Sequence, residues 1–420
     1  MKRKNVFEIK GGNKLNGEIT IQTSKNAILP IISASILCEG NVEINNIPEI
    51  GDLNNMIKIM QGLGCKVEKT GSVITLNANS ANNSNISCEL MHSMRSSLFL
   101  LGSMLNKFGS CMISLPGGCD IGKRPIDIHI SAFEKLGVKV DPIGECIYFD
   151  AKNAKACKIK LRIPSVGATE NIIQFACKLK GKTTIINAAR EPEVVDLCNF
   201  LNLCGAKILG AGTNKITIYG VNKLKGTKYT PIGDRIVAGT IMCAVAICGG
   251  NVTIYNSSAH QNKKIIEKLV QMGCQINIKN DIINISREGP LSTCKHISTG
   301  YYPDFATDLQ SLLLTVCCLA KGETIVEENL FENRFLIVPE LKKMGAEITL
   351  VNSKKATITG VNNLNGTTVK AQDLRGGASL VLAGLHAKGK TIINCIHHID
   401  RGYEKLEEML HSLGANIIRK

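Results

Sequence analysis

The feature that most restricts how this sequence can fold is an internal repeat. A turn of the form hydrophobic-Gly-x-x-hydrophobic recurs at Gly64, Gly137, Gly205, Gly273, Gly345 and Gly414, with spacings of 73, 68, 68, 72 and 69 residues. Each glycine ends an amphipathic stretch such as PELKKMG or KLEEMLHSLG, and an alternating segment such as AEITL or CKVE follows. That order predicts a helix stopped by a left-handed glycine, then a strand. Upstream of each, EGNVEI, FGSCMI, KGKTTI, GGNVTI, KGETIV and KGKTII predict a turn and a strand, each preceded by another apolar helix. The unit is helix, strand, helix, strand and a further strand, about 70 residues long and present six times. Its closing strand is visible as ITIYGVNKLKG at 216–226 and ITGVNNLNG at 358–366, whereas the sixth unit reaches Lys420 without one. FEIKGGNKLNG at 7–17 carries the missing copy, so the first strand is expected to complete the sixth unit. Three units on each side of about residue 230 predict two lobes, 1–20 with 230–420, and 21–229.

Composition narrows the function classes. With 44% hydrophobic and 20% charged residues, the chain is expected to bury a sizeable core, which excludes a disordered or collagen-like protein. Aromatics are 4% with no Trp, which argues against nucleic-acid platforms built on base stacking. The formal charge of +15 comes from 39 Lys and 11 Arg against 35 acidic residues. Scattered lysine reads as solvated surface, so each arginine, with its planar fork for carboxylates and phosphates, carries more information. Seventeen Cys contain no CxxC pair, and Cys243, Cys248, Cys317 and Cys318 lie in apolar stretches as small hydrophobes. A reducing compartment is expected. MKRKNVFEIKGG is no signal peptide, and no apolar stretch reaches ~18 residues, so a cytoplasmic protein is expected.

The polar residues gather at predicted helix starts. First helices open with Ser24, Lys25 and Asn26; with Arg95; with Ser165 to Gly167; with Asp234 and Arg235; with Thr307 and Asp308; and with Asp373 and Arg375. Second helices are expected to open near Arg124, Arg190, Arg334 and Arg401. Helix N-termini present unpaired N–H groups and a positive dipole end. An arginine placed there opposes the dipole by on the order of 0.3–1 kcal/mol, a cost that an anionic ligand would offset. The expectation is a cleft between the lobes binding polyanionic substrates, rather than a scaffold of stacked repeats. Local pairing with Glu332, Asp373 or Asp400 is the plainer reading of any single arginine. One loop stands apart: LPGGCDIGKRPID, 115–127, lacks the ATPase phosphate-loop pattern and the dinucleotide fingerprint. It is expected to be a mobile lid bringing the Cys119 thiol to the cleft, with Lys123 and Arg124 beside it.

These segments together, with GGNKLNG, SKNA, MRSS, PSVGATEN, NAAREPEVVD, TDLQ, FENRF, DLRGGASLVLAG and HIDRGYE, resemble the UDP-N-acetylglucosamine enolpyruvyl transferases over essentially the whole chain. The resemblance implies an α/β fold, a two-lobed inside-out α/β barrel with three βαβαββ-type units per lobe. It implies transfer of enolpyruvate from phosphoenolpyruvate to the sugar 3-hydroxyl of UDP-N-acetylglucosamine with release of phosphate, the first committed step of peptidoglycan synthesis. By the same resemblance Cys119 is the acid for the methylene carbon and the residue trapped by fosfomycin, and Asp308 is the base for the sugar hydroxyl. Lys25, Arg124 and Arg401 hold the phosphate of phosphoenolpyruvate, Arg334 and Arg375 its carboxylate, and Asn26 lies near the reacting carbons. Arg95, the run Arg124, Pro125, Ile126, Asp127, Ile128 and His129, and the run Ile163, Pro164, Ser165, Val166 and Gly167 hold the nucleotide. Glu191, Leu330 and Asp373 complete the substrate contacts. No cofactor, metal, nucleic acid or membrane is implied, and a monomer is expected. The sequence departs from the family at Ile163, where a Lys is usual, and at Ala306, Val237 and the GG after Arg375. The first of these shifts the expected diphosphate contact to Arg162 or a neighbour. The alternatives are a relative acting on another nucleotide sugar and a non-catalytic paralogue that binds the UDP-sugar.

Overall fold

The computed structural model describes residues 5–84, 98–114, 126–144 and 146–420. It divides into two compact units. Among the described residues, one unit holds the chain up to Gln22 together with Gly233–Lys420, and the other lies between Thr23 and Ile232.

In every repeat the second helix ends in the same way. Gly64, Gly137, Gly205, Gly273, Gly345 and Gly414 have φ between +84° and +104°, a region open to glycine without steric cost. Each donates its N–H to the carbonyl three residues back, and the next residue donates to the carbonyl five residues back, as in Cys65 to Met60 at 3.0 Å and Ala415 to Leu410 at 3.0 Å. This paired bonding satisfies orphan carbonyls at the helix end and turns the chain directly into the next strand.

Among the described residues each unit carries three sheets of three or four strands, and the unit around residues 23–232 adds a two-stranded pair, Cys38–Glu39 with Leu224–Lys225. In the unit around residues 23–232, Asn41–Ile44, Ser110–Ser114 and Lys182–Ile186 each follow a first helix and pair antiparallel with a closing strand. In the other, Gly250–Tyr255, Glu323–Glu327 and Lys390–Asn394 play the same part. Five of the six sheets add a parallel edge strand, for example Leu15–Thr20 beside Gly250–Tyr255. Strand Phe7–Lys10 lies between Lys390–Asn394 and Asn416–Arg419, antiparallel to both, with Phe7 opposite Ile393 and Arg419. Its alternation explains the choice: Phe7 and Ile9 are buried, while Glu8 faces outward to Lys420 at 2.6 Å. The sheets are separate, and among the described residues none closes on itself.

The first helices form the cores. In Arg235–Cys248 and Leu374–His386 almost every residue is buried, so these helices are apolar around most of their circumference, as an interior helix must be. Helices Leu100–Phe108 and Val166–Ala176 approach so closely that a Cβ on Gly102 would sit 2.1 Å from the Asn171 carbonyl oxygen. The Asn171 side chain uses that proximity, accepting the Gly102 N–H at 2.7 Å and donating to Leu98 O at 3.1 Å. No helix among the described residues is long and apolar enough to cross a membrane.

Candidate active site

Asp308 lies in the single turn Thr307–Leu309, immediately before helix Gln310–Cys317. Its two carboxylate oxygens are divided between two arginines of distant segments. Oδ1 pairs with Arg334, and Oδ2 accepts from Arg375 Nε and Nη2, both at 3.2 Å. Arg375 is 2% exposed and Arg334 7%, so both guanidiniums are buried charges that require a partner. Burial alone would draw the Arg375 pKa down; Tyr403, Asp308 and Asp234 outweigh it and hold the group above the ordinary arginine value. The Tyr403 ring lies 5.3 Å from the Arg375 guanidinium, and its hydroxyl is 2.8 Å from Thr240 Oγ1. Arg334 is fixed from the other side: its Nε donates to Thr307 Oγ1 at 3.1 Å, and Thr307 donates to Glu328 Oε2 at 2.9 Å. Glu328 is fully buried, and its Oε1 accepts the N–H groups of Leu330 at 2.9 Å and Phe331 at 3.1 Å, shaping the turn that presents Arg334. Asp373 caps helix Leu374–His386 by accepting from Arg375 N and Gly376 N, both at 3.0 Å, as Asp234 does for helix Arg235–Cys248.

A second set of expected residues lies between Thr23 and Ile232. Lys25 and Asn26 open helix Lys25–Ala34, and Lys25 Nζ is 3.2 Å from Asp52 Oδ2, a buried carboxylate in the first turn of helix Gly51–Gly62. Ser165 caps helix Val166–Ala176 by accepting the Ala168 N–H at 3.3 Å. A Cβ on Gly167 would come within 3.1 Å of His129 Nε2, so the 126–129 and 163–167 segments adjoin. Beside them an open hollow of about 450 Å³ is lined by Asp127, Ile128, Ser131, Lys135, Lys160, Leu161, Arg162 and Asn187. Arg162 pairs with Asp127 at 2.5 Å on its rim, so a cation does stand one residue before Ile163. Glu191 immediately precedes helix Pro192–Leu203.

Some expectations change. Arg401 does not open a helix: Lys405 adopts φ +45°, residues 401–405 form a turn, and the helix begins at Leu406. Arg334 opens the short turn Arg334–Ile337, with Val338–Lys343 following. Asp400 pairs with Arg419, at 2.6 and 2.9 Å, through a bidentate contact. Cys119, Arg95, Arg124 and Pro125 lie outside the described residues. The fifteen described cysteines are all free thiols, and burial raises those whose shift is large, Cys65 to about 11 and Cys111 to about 12.

The sequence profile of the family described as EPSP synthase (3-phosphoshikimate 1-carboxyvinyltransferase) matches residues 9–410. A protein of Caldanaerobacter subterraneus subsp. tengcongensis named UDP-N-acetylglucosamine 1-carboxyvinyltransferase 2 is 46% identical, over 98% of this chain and 99% of its own. The chain belongs to this family of 1-carboxyvinyltransferases. A Pseudoalteromonas atlantica protein named UDP-N-acetylglucosamine 1-carboxyvinyltransferase is 42% identical, with 98% of each chain covered. Among solved structures, the enolpyruvyl transferase NikO from Streptomyces tendae aligns over 99% of both chains with a TM-score of 0.88 at 24% identity. EPSP synthase from Acinetobacter baumannii aligns over 99% of this chain and all of its own with a TM-score of 0.73 at 20% identity. Both share the α/β fold.

Within this 1-carboxyvinyltransferase, several residues of the Asp308 cluster escape a reading by motif. Glu328, Tyr403 and Thr240 act through partners 21 to 163 residues away. Only Glu328 leaves a local trace, a carboxylate two residues before Leu330 that accepts the N–H groups of its own turn.

Proposed function

We propose that the protein transfers the enolpyruvyl group of phosphoenolpyruvate to the 3-hydroxyl of UDP-N-acetylglucosamine and releases phosphate, in the cytoplasm, as the first committed step of peptidoglycan synthesis. The names of relatives 41–46% identical over nearly the whole chain support this reading. The observation that carries it is the carboxylate of Asp308 shared by two buried arginines. A base for a sugar hydroxyl must be placed and ionised, and a carboxylate substrate needs planar cations; one cluster supplies both.

In this reading the methylene carbon of phosphoenolpyruvate takes a proton from Cys119, and the central carbon becomes electrophilic. The sugar 3-hydroxyl attacks that carbon while Asp308 accepts its proton. The Cys119 thiolate takes a proton back from the new methyl group as phosphate departs with the proton held by Asp308, which restores the double bond and both side chains, so atoms and charge balance. Arg334 and Arg375 receive the substrate carboxylate, which takes over part of their hold on Asp308 and leaves that base freer to act. Lys25, Arg124 and Arg401 hold the phosphate, and Asn26 lies by the reacting carbons. The hollow beside Asp127, with Lys135, Lys160 and Arg162, takes the nucleotide diphosphate. Arg95, Ile126, His129, the 163–167 segment, Glu191, Leu330 and Asp373 complete the substrate contacts. Each set of three sheets and three buried helices is read as one inside-out barrel, and the chain as a monomer.

Phosphate release with both substrates tests the assignment. Cys119→Ser and Asp308→Ala are each expected to lose roughly 10²–10⁴-fold in turnover, and rates equal to wild type would sink it. Fosfomycin, a phosphoenolpyruvate-like epoxide, is expected to add one equivalent at Cys119 by intact mass in the presence of UDP-N-acetylglucosamine. An adduct at another cysteine would reassign the acid.

A further inference from the structure

The helix that begins with Lys25 and Asn26 is entered differently from three of its counterparts. Ser165, Asp234 and Asp373 cap their helices with their own side chains. The Ser24 hydroxyl is buried and makes no hydrogen bond among the described residues. What fixes Ser24 is its backbone: its N–H donates to the Ile232 carbonyl at 2.8 Å, and its own carbonyl accepts from Ile28 at 2.9 Å.

Ile232 is in turn held by one side chain. Asp196, in helix Pro192–Leu203, is 2% exposed. Its Oδ2 accepts the Ile232 N–H at 3.2 Å, and its Oδ1 accepts the Tyr229 hydroxyl at 2.7 Å. The Tyr229 ring stands edge-on to Phe200 with centroids 5.5 Å apart, and the Tyr229 carbonyl accepts the Asn45 N–H at 2.9 Å. A buried carboxylate therefore grips the chain at the last residue before it passes from one unit to the other. The residue it grips by its N–H is the one whose carbonyl, in the next peptide unit, receives the Ser24 N–H at the start of the Lys25 helix.

We infer that Asp196 is a positioning residue for Lys25 and Asn26, acting through the backbone of Ile232, held at its N–H, and the Ser24 N–H that its carbonyl receives. The inference rests on the proposed role of Lys25 in holding the phosphate of phosphoenolpyruvate. A hydrogen bond to a carboxylate is about twice as strong as a neutral one, and a displacement of about 1 Å at a group that places substrate costs on the order of 10²-fold in rate. Asparagine at 196 has one acceptor oxygen where two are in use, and its NH₂ cannot accept from either donor. Loosening of the Ile232 peptide should therefore follow from the change of a single atom.

The test uses the full chain with Asp196→Asn and Tyr229→Phe. Steady-state phosphate release is measured with each substrate varied separately, and amide hydrogen exchange is followed at Ser24 and at Ala27. Asp196→Asn is expected to raise KM for phosphoenolpyruvate about tenfold, kcat changing less than about threefold, as loss of a binding contact does. Ser24 exchange should accelerate about tenfold, the equivalent of losing one charged hydrogen bond. Tyr229→Phe leaves the Ile232 bond and one acceptor free; about threefold faster Ser24 exchange is expected, and it carries the test if the Asn variant does not fold. A lowered melting temperature with Ser24 exchange unchanged in either variant overturns the inference. Faster Ser24 exchange with KM unchanged sustains the mechanical link and refutes the role of Lys25 instead.

Discussion

The Asp308 cluster and the hollow at Asp127 handle charge in opposite ways. Around Asp308, two arginines are buried and share a carboxylate supplied by the chain itself. Beside the hollow at Asp127, the Arg162 side chain is 72% exposed, and its ion pair sits on the surface. Burial explains the contrast. A guanidinium removed from water needs a partner at all times, so the first set must carry its own anion whether or not substrate is present. An exposed guanidinium is solvated and is free to exchange one anion for another at little cost. The first arrangement fixes its geometry with the chain's own groups, and the second leaves it adaptable.

The largest effect is expected from breaking the buried set. Arg375→Ala should lower the unfolding free energy by about 3–5 kcal/mol, because Tyr403 and Asp308 lose the charge they enclose. Urea unfolding measures this, and a loss below about 1 kcal/mol would place the cluster with ordinary surface pairs.

An intermediate effect concerns buried acids in the other unit. Burial, with Glu193 and Glu191 adding to it, pushes Glu170 well above the usual glutamate value, and burial pushes Asp196 up to about 6. Between its unfolded and folded values, up to about pH 6 for Asp196, each group holds a proton in the folded chain that the unfolded chain has released. Their contribution to stability is therefore complete below the unfolded values and is lost as pH rises through the folded ones. Glu170→Gln should flatten the decline in unfolding free energy as pH rises above the unfolded glutamate value, read from urea unfolding across pH. An unaltered slope would assign the decline to Asp196 and other groups.

The smallest effect is expected at the exposed pair. Arg162→Ala should change stability by less than about 0.5 kcal/mol while raising KM for the nucleotide sugar several-fold. If stability falls as far as in Arg375→Ala, the contrast between the two sets disappears.

What the sequence reveals divides along similar lines. The six glycine turns are visible because each is written within six residues: a helix face, a glycine and an alternating strand. Phe7–Lys10 is legible because FEIK repeats the pattern of ITIY and ATIT. The caps at Asp234 and Asp373 are equally local. Partnerships across the chain are not. Asp308 and Arg375 are 67 residues apart, and Thr240 and Tyr403 are 163 apart. No periodicity specifies which of eleven arginines a given carboxylate meets. The starts of the helices after Arg334 and Arg401 also shift, because a left-handed Lys405 and Pro339 set them rather than the arginines. The hollow at Lys160 is assembled from three segments, none of which carries a motif for it.

The place of Phe7–Lys10 also has a consequence for how the molecule is made. This strand is made well before both its neighbours, Lys390–Asn394 and Asn416–Arg419, which lie about 380 residues or more further along the chain. At about 5–20 residues per second it waits roughly 20–80 s for them. Residues 23–232 have all their sheet partners within that span and are free to fold during the wait. The other unit is sealed only once Lys390–Asn394 and Asn416–Arg419 have been made, so an apolar strand with Phe7 and Ile9 on one face remains unpaired until then.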